Sequence, residues 1–418
     1  MKLLAALLTA TLLVAQTAAT WRAQGQTLKA KGDAAGALRA FEQAAQLDPA
    51  SAAMRDEIGF LQAVLGRQSE AIAAFQQAAK LDPNYAPAHF HLGAALWLRQ
   101  DSSGAIAALQ QAVKLDPRQA EYRFRLGVAL QETGHLEEAL AEAQAVTKLA
   151  PARADLWNLL GLIQQARGQT AKARDAYQKA VQLKPADVEY RNNLGFMLVE
   201  TGAAAQGIAQ FQQILKLDPQ HRGARINIGF ALLQKGDYED AIRHLRQLLT
   251  ELAGVPIVHY NLGLALKQTD KLDEAKAEFR EALRLDPDLV EAYYTLGITA
   301  WQGGDFAETA DAMRSAVTRR PDYAAAHFML GTALKQQGDL PGATAALNDA
   351  IRLDSATPGP YNTLAQIKQQ QGDRAAAKQL FAQAAEVKKT LEQAQAKRLS
   401  AMGPATMTAA PVARPMKR

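Results

Sequence analysis

The stretch that decides the fold is WNLLGLIQQARGQTAKARDAYQKAVQLKP, residues 157–185. Five of its residues mark a pattern: Gly161, Gly168, Ala173, Tyr177 and Pro185. The chain as a whole is rich in Ala, Leu and Gln and poor in β-branched residues, which favours helix nearly throughout. The segment therefore predicts two helices joined by a tight turn at Gly168, with the second helix ending before Pro185.

The same marks recur along the chain with a period of 34 residues. The repeat glycines are Gly25, Gly59, Gly93, Gly127, Gly161, Gly195, Gly229, Gly263, Gly297 and Gly331, and the next position holds Ala365. Twelve residues after each glycine comes a small residue in nearly every repeat, sixteen after it a bulky one in most repeats, and twenty-four after it usually a proline. A fixed period of this length predicts an array of helical repeats that stack on one another.

This pattern resembles the tetratricopeptide repeat, whose consensus W-x-x-L-G-x-x-Y…A-x-x-x-F…P has the same length and order. WRAQG at Trp21 and WNLLG at Trp157 match its opening. The resemblance covers residues 18–391, as eleven repeats. It implies an all-α fold, a right-handed superhelical solenoid of helix-turn-helix repeats with a concave inner surface.

The two ends of the chain predict different roles. Residues 1–19 have one early lysine, an apolar run too short to span a bilayer and small residues at the end, which indicates a signal peptide. An uncleaved anchor or an ordinary first helix is the alternative. Residues 20–391 form the predicted solenoid, and residues 392–418 a helix extension followed by a disordered basic tail. We expect an exported protein, periplasmic or extracellular, without an integral membrane span after cleavage.

The charge distribution argues against a nucleic-acid binder. The net charge is +5, but Lys2 supplies one positive charge and residues 388–418 supply six, which leaves −2 for residues 3–387. A nucleic-acid binder carries a basic stripe on its folded surface, and the balance of the repeats does not indicate one. The chain has no cysteine, so disulfides and a lipid anchor on cysteine are excluded.

No motif indicates catalysis, a metal or a cofactor. The repeat glycines lie inside helices and do not form a phosphate-binding loop. His89, His259 and His327 stand four residues before a repeat glycine, where other repeats have Trp, Tyr or Arg, so we interpret them as packing residues. His89 and His91 form an H-x-H pair, but residues two apart on a helix face different directions. We predict a protein without enzymatic activity.

The asparagines follow the repeat although asparagine is a poor residue inside a helix. We call the position two residues before the repeat glycine the −2 column and the position three before it the −3 column. The −2 column holds Asn193, Asn227 and Asn261, and the −3 column holds Asn158, Asn192 and Asn362. These six are most of the eight asparagines of the chain, so the residue type is placed by register.

The −2 column resembles the asparagine ladder in the repeats of O-linked N-acetylglucosamine transferase, where the amides grip the backbone of an extended peptide. An amide both donates and accepts, so it can pair with a peptide group whatever the side chains of the peptide. In the alternative interpretation each asparagine bonds a neighbouring helix and only fixes packing.

Apolar and aromatic side chains accompany the amides on the same face. Phe124, Tyr260 and Tyr294 stand in the −3 column, while Phe196 and Phe230 directly follow a repeat glycine and could instead be core between helices. The predicted peptide-binding residues are Asn158, Asn192, Asn193, Asn227, Asn261, Phe124, Phe196, Phe230, Tyr260 and Tyr294. Nearby Glu132, Glu200, Lys267 and Lys335 could tune selectivity.

These residues predict a non-catalytic, exported scaffold that binds an extended peptide segment of a protein partner in the concave groove. The alternative is a structural assembly subunit of a cell-envelope export or polysaccharide-secretion complex. A third possibility, the repeats of a glycosyltransferase, is disfavoured because only 27 residues follow the last repeat.

Overall fold

The computed structural model describes residues 17–401, all of whose regular elements are α-helices. These 22 helices pack in consecutive pairs, two per repeat, which confirms the predicted all-α helix-turn-helix fold. Most of the predicted signal peptide and the tail after residue 401 lie outside the described residues. The chain divides into a first unit, residues 1–197, and a second unit, residues 198–418, and each is described by itself.

The first unit contains ten complete helices and most of an eleventh. They are α1 (Ala18–Ala30), α2 (Ala34–Leu47), α3 (Ala52–Val64), α4 (Gln68–Leu81), α5 (Ala86–Leu98), α6 (Ser102–Leu115), α7 (Ala120–Glu132), α8 (Leu136–Leu149), α9 (Ala154–Ala166), α10 (Thr170–Leu183) and α11 (Val188–Glu200). Odd-numbered helices are the first of a repeat and even-numbered helices the second.

The second unit contains the last residues of α11 and eleven further helices. They are α12 (Ala204–Leu217), α13 (Arg222–Lys235), α14 (Tyr238–Leu252), α15 (Pro256–Gln268), α16 (Leu272–Leu285), α17 (Val290–Gln302), α18 (Phe306–Arg319), α19 (Ala324–Gln336), α20 (Leu340–Leu353), α21 (Pro358–Gln370) and α22 (Arg374–Ala401). The stretch EVKKTLEQAQAKRL falls within α22, which continues to Ala401.

The repeat glycine allows the two helices of one repeat to touch. At Gly161 an added Cβ would lie 2.5 Å from Cε1 of Tyr177, the bulky residue sixteen positions later. Tyr177 and Ala173 are fully buried beside it. A larger side chain at position 161 would overpack this contact, which costs about 1–3 kcal/mol.

The turn inside each repeat uses a left-handed residue. Nine repeats have a glycine there with positive φ, such as Gly168 at 71°. The other two repeats have Gln100 at 64° and Asp270 at 60°, the two non-glycine residues with positive φ among the described residues. A side chain in this conformation costs roughly 1–2 kcal/mol, so these two turns are strained.

The position four before the repeat glycine closes the preceding turn. Its side chain donates to the carbonyl oxygen six residues earlier, at 2.9 Å from Trp157 Nε1 to Pro151 O and at 2.9 Å from His259 Nε2 to Ala253 O. Within the part of the chain that the structure describes, the residues that do this are His89, Arg123, Trp157, Arg191, His259, His327 and Tyr361. The contacts agree with a packing role for the three histidines of this column.

The sequence ELAGVP before Pro256 changes one connection. Helix α14 runs to Leu252, so it has 15 residues where the other second helices up to α20 have 14. Residues 253–255 then form the connection to α15, close to the predicted turn at 254–256. The altered twist predicted for this junction stays a prediction.

Candidate functional site

All the predicted site residues lie on the first helices of their repeats, but they divide between the two units. The first unit holds Phe124, Asn158, Asn192, Asn193 and Phe196, and the second holds Asn227, Phe230, Tyr260, Asn261 and Tyr294.

Three polar pairs between neighbouring first helices follow one rule: a residue in the −3 column contacts the −2 column residue of the next repeat, 35 positions later. Asp56 Oδ1 lies 2.8 Å from His91 Nδ1, and Asn193 Nδ2 lies 3.0 Å from Asn158 Oδ1. Tyr260 Oη lies 3.4 Å from Thr295 Oγ1. The rule indicates which −2 column residue can take a partner from the −3 column of the repeat before it.

Asn158 is satisfied inside the protein. It is 7% exposed, its Oδ1 accepts from Asn193, and its Nδ2 donates to Glu189 Oε1 at 3.3 Å. Both sides of the amide are used to hold α9 against α11. For Asn158 the geometry therefore agrees with the packing alternative and not with contact to a peptide.

A charged cluster surrounds Phe124. The guanidinium carbon of Arg153 lies 5.4 Å from the Phe124 ring centre, and Arg153 also pairs with Glu121 at 3.2 Å and Asp155 at 2.5 Å. Burial acts to raise the pKa of Asp155, but the hydrogen bond and charge of Arg153 outweigh it, so the pKa is lowered. The half-buried ring of Phe124 is thus already covered by a cation from its own chain.

Four other predicted residues flank the boundary between the units. Asn192 and Phe196 are half-buried on α11, Asn227 is half-buried on α13, and Phe230 is 8% exposed. None of the four lacks an interaction partner. The burial of Phe230 agrees with the alternative that its column is core, and the role of the other three in peptide binding stays a prediction.

Asn261 differs from Asn158 in having no partner. It is 3% exposed, yet no other described residue makes a hydrogen bond with its amide. Neither the oxygen nor the nitrogen of this amide is fully enclosed by the protein, so both atoms still touch solvent. The pairing rule explains this, because the residue 35 positions earlier is Ile226, which has no polar atom to offer.

The surroundings of Asn261 offer a cation and aromatic rings. Lys267, two turns from Tyr260 on α15, makes no ion pair with a described residue, and burial lowers its pKa. Tyr294 and Tyr323 have ring centres 4.9 Å apart. Burial raises the pKa of Tyr260 and Tyr294, and burial with the nearby Tyr294 raises that of Tyr323 to about 12, so all three are neutral phenols at physiological pH.

An acid borders the same aromatic cluster. Arg320 Nη2 lies 2.6 Å from Glu291 Oε1, and Arg320 also lies over the Tyr323 ring at 5.0 Å. Glu291 Oε2 is enclosed and has no hydrogen-bond partner. Within the described residues, the second unit therefore combines an amide without a hydrogen-bond partner, an ammonium group without an ion pair and neutral phenols.

Sequence reasoning missed which asparagine would be free and the contacts of Asp56, Arg153 and Tyr323. A signal was present, since comparing each −2 column residue with the −3 column of the repeat before it separates Asn193 from Asn261.

Among residues 17–401, no group of three or more His, Asp or Glu is arranged to hold a metal. No helix within that range is both long and apolar enough to cross a bilayer.

Family models of the repeat match much of the chain. Those described as TPR repeat or tetratricopeptide repeat match residues 64–100, 98–134, 120–153, 226–290, 260–323, 294–358 and 361–393. The model of the cytochrome c-type biogenesis protein H TPR domain matches residues 147–254. No curated protein matches the sequence.

A solved structure supports the fold, and a second one is reported with it as a more distant match. A tetratricopeptide repeat protein from Parabacteroides merdae ATCC 43184 is 15% identical, with 60% of this chain and 98% of that chain covered and a TM-score of 0.54. MamA 41-end from Desulfovibrio magneticus RS-1 is 27% identical, with 41% of this chain and 97% of that chain covered and a TM-score of 0.39.

The repeat register, the paired helices and these matches agree with one another. The chain belongs to the tetratricopeptide-repeat family, and its repeats form a protein–protein interaction scaffold.

Proposed function

We propose that the protein binds an extended peptide segment of a partner on the first helices of repeats eight and nine, α15 and α17. The observation that carries this proposal is the amide of Asn261, which is almost wholly buried and has no hydrogen-bond partner in the described chain, yet still touches solvent. Buried polar groups in native proteins are nearly always paired, and an unpaired one calls for an explanation. A ligand that supplies the missing hydrogen bonds is the explanation proposed here.

A peptide backbone suits this amide. Asn261 can donate to a peptide carbonyl and accept from a peptide N–H, and that pairing does not depend on the side chains of the ligand. Lys267 can donate to a carbonyl or carboxylate oxygen of the same segment. The rings of Tyr260 and Tyr294 offer apolar surface for its side chains.

The proposal keeps Asn261 of the asparagine ladder as a peptide contact, whereas Asn158 and Asn193 hold α9 and α11 together. It also places the activity outside the cytoplasm. Residues 1–19 would direct export. Mass measurement of the protein recovered from cell-envelope and medium fractions tests this, because cleavage of the signal peptide shortens the chain.

The test begins with random 16-residue peptides displayed on phage and selected on the full chain. The affinity of a selected peptide is then measured by fluorescence anisotropy for the wild type, for Asn261→Ala and for Asn348→Ala, an exposed asparagine on a second helix of the same unit. Two neutral hydrogen bonds contribute about 1–3 kcal/mol together, so Asn261→Ala is expected to weaken binding roughly tenfold. Asn348→Ala is expected to bind like the wild type.

Backbone recognition has its own control. A peptide of the same sequence with N-methylated amide groups keeps its side chains but loses the donors that Asn261 would recognise. Equal binding of the methylated and unmethylated peptides, or unchanged affinity in Asn261→Ala, would contradict the proposal.

A second candidate function is an assembly role in the biogenesis of c-type cytochromes. The match of residues 147–254 to the TPR domain of cytochrome c-type biogenesis protein H favours it. Deletion of the gene, followed by haem staining of membrane proteins separated by electrophoresis, tests it. Unchanged c-type cytochrome bands would exclude this role.

A further inference from the structure

His259 is a buried histidine whose two ring nitrogens both face oxygen atoms. Nε2 lies 2.9 Å from the carbonyl oxygen of Ala253, and Nδ1 lies 2.6 Å from Oε2 of Glu278. The side chain of His259 is 10% exposed and that of Glu278 is 25% exposed, so both contacts are largely shielded from water. The imidazole therefore joins the connection before α15 to the middle of α16.

Neither of these oxygens can donate a hydrogen bond. A backbone carbonyl only accepts, and so does an ionised carboxylate. A neutral imidazole has one N–H and can serve one of the two oxygens, whereas a ring with a proton on both nitrogens serves both. The pair of His259 and Glu278 therefore needs one proton more than a neutral histidine beside an ionised glutamate, whichever of the two side chains holds it.

Repeat four makes the same contact with a permanent charge. The contact joins the position four before the repeat glycine to the position fifteen after it, and repeat four has Arg123 and Glu142 there. Arg123 Nε lies 2.8 Å from the carbonyl oxygen of Pro117, and its Nη1 lies 2.5 Å from Oε2 of Glu142. Arginine keeps its charge in proteins. Repeat eight has the same arrangement with a side chain that can lose its proton.

Two further repeats have the histidine without the acid. His89 and His327 lie with Nε2 3.0 Å from the carbonyl oxygen six residues earlier. The position fifteen after the repeat glycine holds Ala108 and Ala346 in these repeats, so the second nitrogen has no carboxylate to meet there. A neutral ring is sufficient for the single bond to the carbonyl. The demand for an extra proton thus arises from the combination of histidine and glutamate in repeat eight.

The connection that His259 holds also lacks the usual proline. In the repeats of His89, Arg123 and Trp157 the accepting carbonyl belongs to a proline, whose ring fixes φ. Before α15 the carbonyl belongs to Ala253, and at the following Gly254 an added Cβ would meet open space. Since no ring restrains these two residues, the contact with His259 contributes more to holding this connection than its counterparts do elsewhere.

The charged groups of α16 near His259 are Glu278, Glu281 and Arg284. Glu278 touches the ring, as described. Glu281 stands three residues later, and its pKa is lowered by the hydrogen bond from Arg284 and, to a smaller extent, by the charges of Arg284 and His259. Arg284 Nη2 lies 2.7 Å from Glu281 Oε1, so this second acid already has a cation.

Within the described residues, the acids on the other helices packed against α15 are engaged elsewhere. Helix α13 contains no Asp or Glu, and the acids of α14 and α17 all pair with cations. These pairs are Glu239 with Lys271, Asp240 with Arg243, Glu251 with Arg225 and Glu291 with Arg320. The titratable ring of His244 on α14 contacts the carbonyl oxygen of Arg225 at 2.7 Å. Glu278 is thus the acid that meets His259.

We infer that His259 and Glu278 form a pH-sensitive latch, which holds the α14–α15 connection against α16 while the pair keeps its extra proton and releases it as the pH rises. Histidine ordinarily changes its charge between about pH 5 and 8. Loss of the proton leaves two acceptors facing each other, so the contact is lost. By linkage, a contact made only by the protonated pair stabilises α15 at the lower pH and stops doing so as the proton leaves.

The test is hydrogen–deuterium exchange of the full chain, read by mass spectrometry from pH 6 to pH 9. Peptides from α15 are compared with peptides from α7, which carries Arg123. The chemical exchange rate rises with pH equally in both helices, so the ratio of their rates reports local opening. In the wild type the α15/α7 ratio is expected to rise roughly tenfold in total, and by no more than about tenfold per pH unit because one proton is involved.

Two variants copy pairs that the chain already uses. His259→Arg gives repeat eight the pair of repeat four, and Glu278→Ala gives it the pair of repeats three and ten. Both should show a flat ratio over the pH range, with faster exchange of α15 in Glu278→Ala than in His259→Arg. The control His244→Gln, which introduces the residue of repeat six at that position, should keep the wild-type slope. Circular dichroism should show equal helix content for all four proteins.

A flat ratio in the wild type would overturn the inference, and this comparison needs no variant. A wild-type slope in His259→Arg or Glu278→Ala would also overturn it, and a slope lost only in His244→Gln would move the pH response to α14. Because α15 carries Asn261, peptide binding should weaken as the latch opens, a consequence that rests on the proposed function. The exchange measurement uses no peptide, so the latch and the peptide site can fail independently.

Discussion

The substitution Asn261→Leu is expected to stabilise the protein and to weaken its peptide binding roughly tenfold. Leucine has the same number and branching of side-chain heavy atoms as asparagine and carries no polar atom, although its two methyl groups are bulkier than the oxygen and the NH2 group they replace. Residue 261 is almost wholly buried, its amide has no hydrogen-bond partner among the described residues, and the position that could pair with it holds Ile226. Removal of the amide thus removes a cost to folding without breaking a contact.

The size of the effect follows from the burial. An unpaired buried polar group costs about 1–3 kcal/mol, and the slight solvent contact of this amide places it in the lower half of that range. We expect a gain of about 1–2 kcal/mol for Asn261→Leu. Asn158→Leu is the matched contrast, because it leaves Asn193 and Glu189 without their shared partner and should cost about 1–3 kcal/mol.

The assay has to be local, because repeat arrays need not unfold as one cooperative unit. Hydrogen–deuterium exchange, read by mass spectrometry on peptides from α15 and α9, reports the opening of each helix. A gain of 1.4 kcal/mol appears as roughly tenfold slower exchange in α15. Faster exchange in α15 of Asn261→Leu would refute the reasoning, since it would mean that the amide stabilises the fold.

Three further outcomes test other parts of the structure. Gln100→Gly and Asp270→Gly should each raise the free energy of local opening by about 1 kcal/mol, read by hydrogen exchange on the helices that flank each turn, because φ at these turns is 64° and 60° and glycine adopts it without strain. Asp155 has a lowered pKa in the folded protein, so its contribution to stability is complete above the ordinary aspartate pKa of 3.8 and is lost as pH falls through the folded value. Thermal melts from pH 6 to pH 3 should therefore show a smaller acid loss for Asp155→Asn than for the wild type. Trp157→Phe removes the bond to the Pro151 carbonyl and should speed hydrogen exchange at the start of α9, at a cost of about 0.5–1.5 kcal/mol.

The repeat, its length and its helix pairs could be predicted from sequence because they rest on local spacing. A glycine at 34-residue intervals and a proline after most second helices fix where helices start, approach and end, as Gly161 against Tyr177 shows. The state of each asparagine depends instead on the facing helix. Asn193 and Asn261 stand in one column, yet one donates to Asn158 and the other has Ile226 at that place.

Val64, at the end of α3, and Leu98, at the end of α5, are exposed, and their positions in the repeat did not predict this. Apolar residues at helical spacing indicate core first, and only the rotation of α3 and α5 against their neighbours decides which side chains remain in water. Phe230 shows the opposite outcome, because a residue placed beside the groove by register is buried in the structure. Register gives the neighbours of a residue along its own helix, whereas the packing angle decides what it faces.

The pairing of residues 35 positions apart limits how such a chain can change in length. Duplication or loss of one complete 34-residue repeat keeps every remaining −3 column residue facing the −2 column of its new neighbour. An insertion of any other size inside a helix rotates one column away from its partner and disrupts the contacts on both sides at once. The scaffold therefore keeps these contacts in register when it grows or shrinks by whole repeats, and each such change places new residues opposite one another, which creates or removes unpaired amides such as that of Asn261.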